Sequence, residues 1–197
     1  MQATSKEAIF QLWSESTPGE RNLFIVSTIG PIYGSVRPAT ANSFETGDQR
    51  WTVWGRSRVV SGVTYYYTLK YLSFSLPPLD YFTVLRLAEQ YLIRAEARAQ
   101  QNDINGAKAD INIIRTRAGL GNTTANDEPS LLLAVEDERK HEFFNEWGHR
   151  WFDLKRMGRA DAVLAPIKPQ WKSTAVLFPI PEAQIINNPN TTQNPGY

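Results

Sequence analysis

The sequence predicts a mainly α fold, in which helical hairpins sit among long irregular loops with a few short strands. Three observations predict it. Phe82, Leu85, Ala88, Leu92, Ala95 and Ala99 recur at three- and four-residue steps, the period of one helix face. Ile104, Ala107, Ile111, Ile114 and Ala118 repeat the pattern directly after Asp103, a residue suited to capping a helix N-terminus. Outside this region Gly, Pro, Ser and Thr are dense and no helical period is sustained.

Taken in order, residues 1–80 form a loop-rich segment with candidate strands at Leu23–Thr28 and Thr64–Tyr71, closed by Pro77-Pro78. Residues 81–158 are the helical region. Helices are expected near Tyr81–Gln101, Asp103–Ala118 and Ser130–Trp147, with a break at Gly148 and a short continuation to Met157. Residues 159–197 are a proline-rich extension, where Leu177–Pro181 must be mostly extended and the tail PNTTQNPGY is too turn-rich for regular structure. Ala95, Arg98, Asn102, Asp103, Ala107, Ile111 and Ile114 follow the small-residue spacing of a tetratricopeptide hairpin. Any tight helical hairpin wants small residues there, so an ordinary hairpin fits equally well.

Of the 197 residues, 42% are hydrophobic and 21% charged, which is a globular composition, and the formal net charge is +1. That balance gives no electrostatic case for nucleic acid or for an anionic membrane surface. Cysteine is absent, which removes disulfides, thiolate metal sites and cysteine nucleophiles. The longest apolar stretches, Leu131–Val135 and Val176–Ile180, fall far short of the roughly 20 residues of a membrane span. Met1–Phe10 lacks the apolar core of a signal peptide, so the expectation is either a cytoplasmic protein or an export signal lying upstream.

Catalytic and metal constellations fare poorly. His141-Glu142 begins like a zincin motif, but Asn145 stands where the second histidine belongs. Asn102–Gly106 resembles a piece of an EF-hand loop and runs straight into a helix, so a cap is the better reading. Nucleophile-elbow and phosphate-loop motifs are missing, and no cofactor is expected. Glu138, Glu142 and Glu146 fall at four-residue steps on the expected third helix. Ion pairing, including Glu146 with Arg150, explains them better than glycoside hydrolysis.

The aromatic cluster Trp51, Trp54, Tyr65, Tyr66 and Tyr67 stands apart. A flat ring face matches the C–H face of a pyranose, and Asp48, Arg50 and Arg56 are close enough in sequence to meet its hydroxyls. Packing in the core explains the tryptophans equally well. In a strand, alternate residues of Tyr65–Tyr67 point opposite ways, so at least one ring must face inward. The candidate glycan-binding residues are therefore Trp51, Trp54, Asp48, Arg50, Arg56 and Tyr65.

A resemblance extends this reading. Leu85–Glu89 with Tyr91–Ala97, Ile111–Leu120, Glu138–Phe143, Glu146, Arg150–Arg156, Leu177–Pro181 and Gln193–Tyr197 occur together, in order, from about residue 80 to the last residue. In this the chain resembles the SusD/RagB family, and Glu7–Phe10 and Lys70-Tyr71 look like further landmarks. The resemblance implies tetratricopeptide-like helical hairpins, with all three stretches forming one C-terminal unit. It implies a lipoprotein of the bacterial outer-membrane surface, anchored by a lipid attached upstream of this chain. It implies capture of oligo- or polysaccharide for a SusC-like TonB-dependent transporter, without catalysis. A helical-repeat interaction domain with no sugar site is the alternative.

Overall fold

The computed structural model describes residues 5–12, 35–70 and 81–197. The expected strand at 23–28 lies outside them. The described residues fall into two compact units, divided between Trp147 and Gly148.

The larger unit opens with β1 (Ala8–Leu12), followed by α1 (Pro38–Ala41), α2 (Gln49–Trp54), β2 (Gly55–Val60), β3 (Val63–Thr68) and β4 (Phe82–Arg86). Then come α3 (Leu87–Gln100), α4 (Ile104–Arg117) and α5 (Glu128–Glu142). The fold is mainly α, with few short strands, as the periodicity predicts. Ala88, Leu92, Ala95 and Ala99 of α3 are buried, as are Ala107, Ile111 and Ile114 of α4 and Leu131 and Val135 of α5. Alanines at the contact let the hairpin close, while each fully buried Leu or Ile contributes roughly 1.5–3 kcal/mol. Asp103 caps α4 by accepting from the Gly106 amide at 2.9 Å. Asp127 and Ser130 form a reciprocal capping box on α5.

Two helix ends depart from expectation. The first helix begins at Leu87, because Phe82–Arg86 pairs antiparallel with β1, and Leu85 is exposed. A local helical period cannot reveal that a distant strand will claim those residues. The third helix stops at Glu142: Asn145, Trp147 and Gly148 all take positive φ, which no right-handed helix accommodates. Glu146 therefore lies between helices, and the four-residue spacing to Arg150 is not a helical one. Glu146 pairs with Lys70 and Arg86.

That pairing belongs to a buried ion network around α5. Arg86 donates to the Glu142 carboxylate at 2.5 Å and to the Glu142 carbonyl at 2.6 Å, and reaches Glu146 at 3.1 Å. Arg117 also donates to Glu142, and Arg50 to Glu138 at 2.8 Å. Lys70 bridges Glu146 and the Glu142 carbonyl, each at 2.6 Å. Burial alone would push Glu142 up, but Arg86, Arg117 and Lys70 outweigh it and hold the carboxyl down at about 2. Burial pushes the Lys70 ammonium down to about 8, against the pull of Glu146. Asp110 of α4 repeats the theme, held by Arg94 at 2.6 Å and Arg98 at 2.8 Å.

The smaller unit comprises α6 (His149–Arg156), α7 (Ala160–Leu164), a 3-10 turn at Ser173–Val176 and α8 (Glu182–Asn187). Leu154, Ala160 and Leu164 form its core, flanked by Trp151, Trp171 and Val176. Residues 177–181 are free of helix, as prolines at 179 and 181 require, whereas α8 follows them unannounced.

The buried polar groups of the larger unit make two predictions. Arg86→Ala leaves two carboxylates short of a buried cation and should cost about 3–5 kcal/mol in urea unfolding. A loss under about 1 kcal/mol would show that other cations or water replace it. His141 is buried, with Nε2 3.1 Å from the Ser43 hydroxyl, and burial pushes it from near 6.5 down to about 4. The folded state resists protonation where the unfolded chain accepts it. Stability from this group is therefore present above pH ~6.5 and lost toward pH ~4, at up to about 1.4 kcal/mol per pH unit. The stability gap between the parent and His141→Gln should narrow over that window; a constant gap would refute the assignment.

Candidate functional site

The β2–β3 hairpin rests on α2, and its local chemistry explains its shape. Ser61 and Gly62 both take positive φ in a two-residue turn, the geometry that matches the strand twist. Full antiparallel register follows, with Gly55 opposite Thr68, Arg56 opposite Tyr67 and Arg58 opposite Tyr65. Directly opposed residues share a face. Arg56, Arg58, Tyr65 and Tyr67 thus occupy one side of the hairpin, and Tyr66 the other.

Tyr66 turns toward the core. Its ring lies 6.2 Å from Trp51, which also meets Phe44 at 5.1 Å and Phe144 at 6.3 Å. Gly55 permits this packing: a Cβ there would stand 2.3 Å from the Trp51 ring. Asp48 caps α2 through the Arg50 amide, and its carboxylate takes the Arg50 guanidinium at 2.8 Å. Both side chains are buried. Burial works against the Arg50 charge, but Asp48 and Glu138 outweigh it. Trp54 is half-buried, with the Lys70 ammonium 3.9 Å above its ring centre. Arg56 is exposed and donates to the carbonyls of Thr52, Val53 and Gly55, fastening the C-terminal end of α2.

The six sequence candidates therefore divide. Arg56 and Tyr65 share the outer hairpin face, Asp48, Arg50 and Trp51 lie beneath it in packing and ion pairs, and Trp54 sits at the boundary. Arg58 and Tyr67 complete the outer face and were not among the six. The signal for them was present: Val60-Ser61-Gly62-Val63 reads as a two-residue hairpin turn, from which the Arg58–Tyr65 and Arg56–Tyr67 pairings follow by counting.

Tyr65, Tyr67 and Arg58 are half-buried and Arg56 is exposed, so partly accessible rings stand beside two guanidinium groups on one sheet face. Such a surface can stack on an apolar sugar face while donating to hydroxyls, since a guanidinium carries five donors.

Comparison with known proteins bears on both fold and surface. The starch-binding protein SusD of Bacteroides thetaiotaomicron is 36% identical over 124 residues, which is 58% of this chain and 21% of that protein. A solved SusD superfamily structure from Bacteroides vulgatus superposes with a TM-score of 0.79 at 22% identity, covering 99% of this chain and 52% of the other. A second from the same species gives 0.77 at 29% identity, covering 98% and 47%. The chain thus spans about half the length of these structures and about a fifth of the starch-binding relative. The family model for the SusD family matches residues 61–197, from the hairpin turn to the last residue. On fold, on motif order and on this match, the chain belongs to the SusD family.

Proposed function

We propose that this chain is the glycan-capturing part of a nutrient-uptake system, binding oligo- or polysaccharide at the outer-membrane surface for a SusC-like TonB-dependent transporter. It is a binding module and not an enzyme. The observation that carries this reading is the face of the β2–β3 hairpin on which Tyr65 and Tyr67 stand opposite Arg58 and Arg56. The relative that binds starch supports the same ligand chemistry. In this reading Tyr65, Tyr67, Arg56 and Arg58 touch sugar, with the accessible part of Trp54 beside them. Asp48, Arg50 and Trp51 hold the platform rigid from beneath, which reduces the ordering cost of binding. A lipid anchor would hold the protein at the surface, and the transporter would be its partner there.

A second reading is a helical-repeat domain that docks on another protein. It is favoured by the outer face of α3, where Leu87 and Ile93 are exposed beside Tyr91 and Arg94 at a cleft of about 470 Å³.

Calorimetric titration with a panel of oligosaccharides separates the two. Losing one stacking ring should weaken sugar binding about two- to tenfold, so Tyr65→Ala and Tyr67→Ala are each expected to do so while circular dichroism stays unchanged. Unchanged affinity in both would remove the hairpin from the site. Co-purification of a TonB-dependent transporter with the protein tests the partner.

A further inference from the structure

We propose that the smaller unit carries a second oligosaccharide site, an aromatic groove built by the motifs that close the chain. The groove encloses about 740 Å³, within the range of small-ligand clefts. Trp151, Trp171, Phe178 and Tyr197 line it, with Lys168 and Gln170 supplying polar groups.

Its rings stand at angles to one another. Trp171 meets Trp151 edge-on at 6.2 Å, and Phe178 lies 6.2 Å from Trp151 at 57°. Phe178 is 70% exposed and Tyr197 is 55% exposed. A contiguous patch of exposed rings lining a groove is the kind of surface that marks an interaction or ligand site.

The walls are held in place by the polar residues of the terminal motifs. Gln193 clasps Ile180 from both sides, accepting from its amide at 2.8 Å and donating to its carbonyl at 2.9 Å. Asn194 donates to the Phe178 carbonyl at 2.7 Å, and the Tyr197 hydroxyl donates to the Leu177 carbonyl at 3.0 Å. Gly196, with φ of +95°, turns the chain where a Cβ would stand 2.3 Å from the Thr174 hydroxyl. Trp171 is fixed by its indole N–H, which donates to Asp161 at 2.6 Å. The last five residues thus lace against the extended segment that carries Phe178, and the two outer rings are positioned before any ligand arrives.

Crossed ring planes lined also by Gln170 and by Lys168, whose ammonium lies 5.9 Å from the Trp171 ring centre, suit a ligand whose units each have an apolar face and a hydroxyl rim. That is a pyranose chain. This inference rests on the glycan-binding reading, yet it uses different residues in a different unit. A proline-rich peptide would use the rings but leave the polar groups idle.

The test takes the whole chain with maltoheptaose and a panel of β-linked gluco-oligosaccharides. Calorimetry gives affinity and stoichiometry, and two-dimensional NMR follows the indole N–H signals of Trp151 and Trp171. Some sugar of the panel should shift both indole signals, and Phe178→Ala should weaken that binding about two- to tenfold. Phe178 is peripheral and mostly exposed, so this variant is expected to fold. Tyr65→Ala should leave the indole response intact. If sugar binds but the indole signals stay still and Phe178→Ala matches the parent, the groove is not a site, while the hairpin reading survives. If Phe178→Ala weakens binding and the hairpin variants do not, the groove stands and the hairpin reading falls. Absence of binding by every sugar, or indole shifts with a proline-rich peptide alone, would overturn the groove proposal.

Discussion

Glu138, Glu142 and Glu146 are buried together, and each must meet a cation inside the protein. A buried carboxylate without a partner costs several kcal/mol, so this one requirement reaches across the larger unit. Arg86 comes from the end of β4, Lys70 from the segment after β3, Arg50 from α2 and Arg117 from the end of α4. Four separate stretches of chain are thereby fixed relative to α5. Hydrophobic burial between α3, α4 and α5 provides most of the driving force, but it is indifferent to small shifts. The ion network is not, because guanidinium and carboxylate bond only along defined directions.

The hairpin inherits its position from that network. Arg50 joins Asp48 at the start of α2 to Glu138 on α5, and Trp51 one residue later fills the space among Phe44, Phe144 and Tyr66. With Tyr66 held inward against Trp51, the pleat puts Tyr65 and Tyr67 on the opposite face of the hairpin. A face that carries rings beside guanidinium groups is thus obtained from the pleat of a strand whose opposite face is already committed. The smaller unit reaches a comparable result by other means. There the side-chain amides of Gln193 and Asn194 replace a missing partner strand for residues 178–180, and the aromatic side chains ride on that lacing. Both surfaces place rings on backbone that is rigid for reasons unrelated to any ligand.

Much of this was legible in the sequence. Period alone located the α3–α4 hairpin, because alternating buried and exposed positions along a helix leave a record at every third or fourth residue. Asp103 marked a helix start correctly, since a cap is a contact between residues three apart. The Tyr65–Tyr67 alternation foretold one inward ring. What failed was whatever depended on residues distant in sequence. Phe82–Arg86 looked helical until β1 paired with it, and Glu146 looked like a helix neighbour of Arg150 until positive φ at Asn145 ended the helix.

The sequence by itself determined the fold class, the three main helices and the family, because these rest on local periodicity and on motifs kept in order. Only the tertiary structure decided the role of each polar and aromatic side chain. Asp48, Arg50, Arg56 and Tyr65 are indistinguishable as candidates in one dimension. Arg50 is turned inward by an ion pair with Glu138, 88 residues away, and Asp48 by its own pair with Arg50, while strand register places Arg56 and Tyr65 together on one hairpin face. Burial and register are set by the partners a residue meets, and the chain does not record those partners beside it.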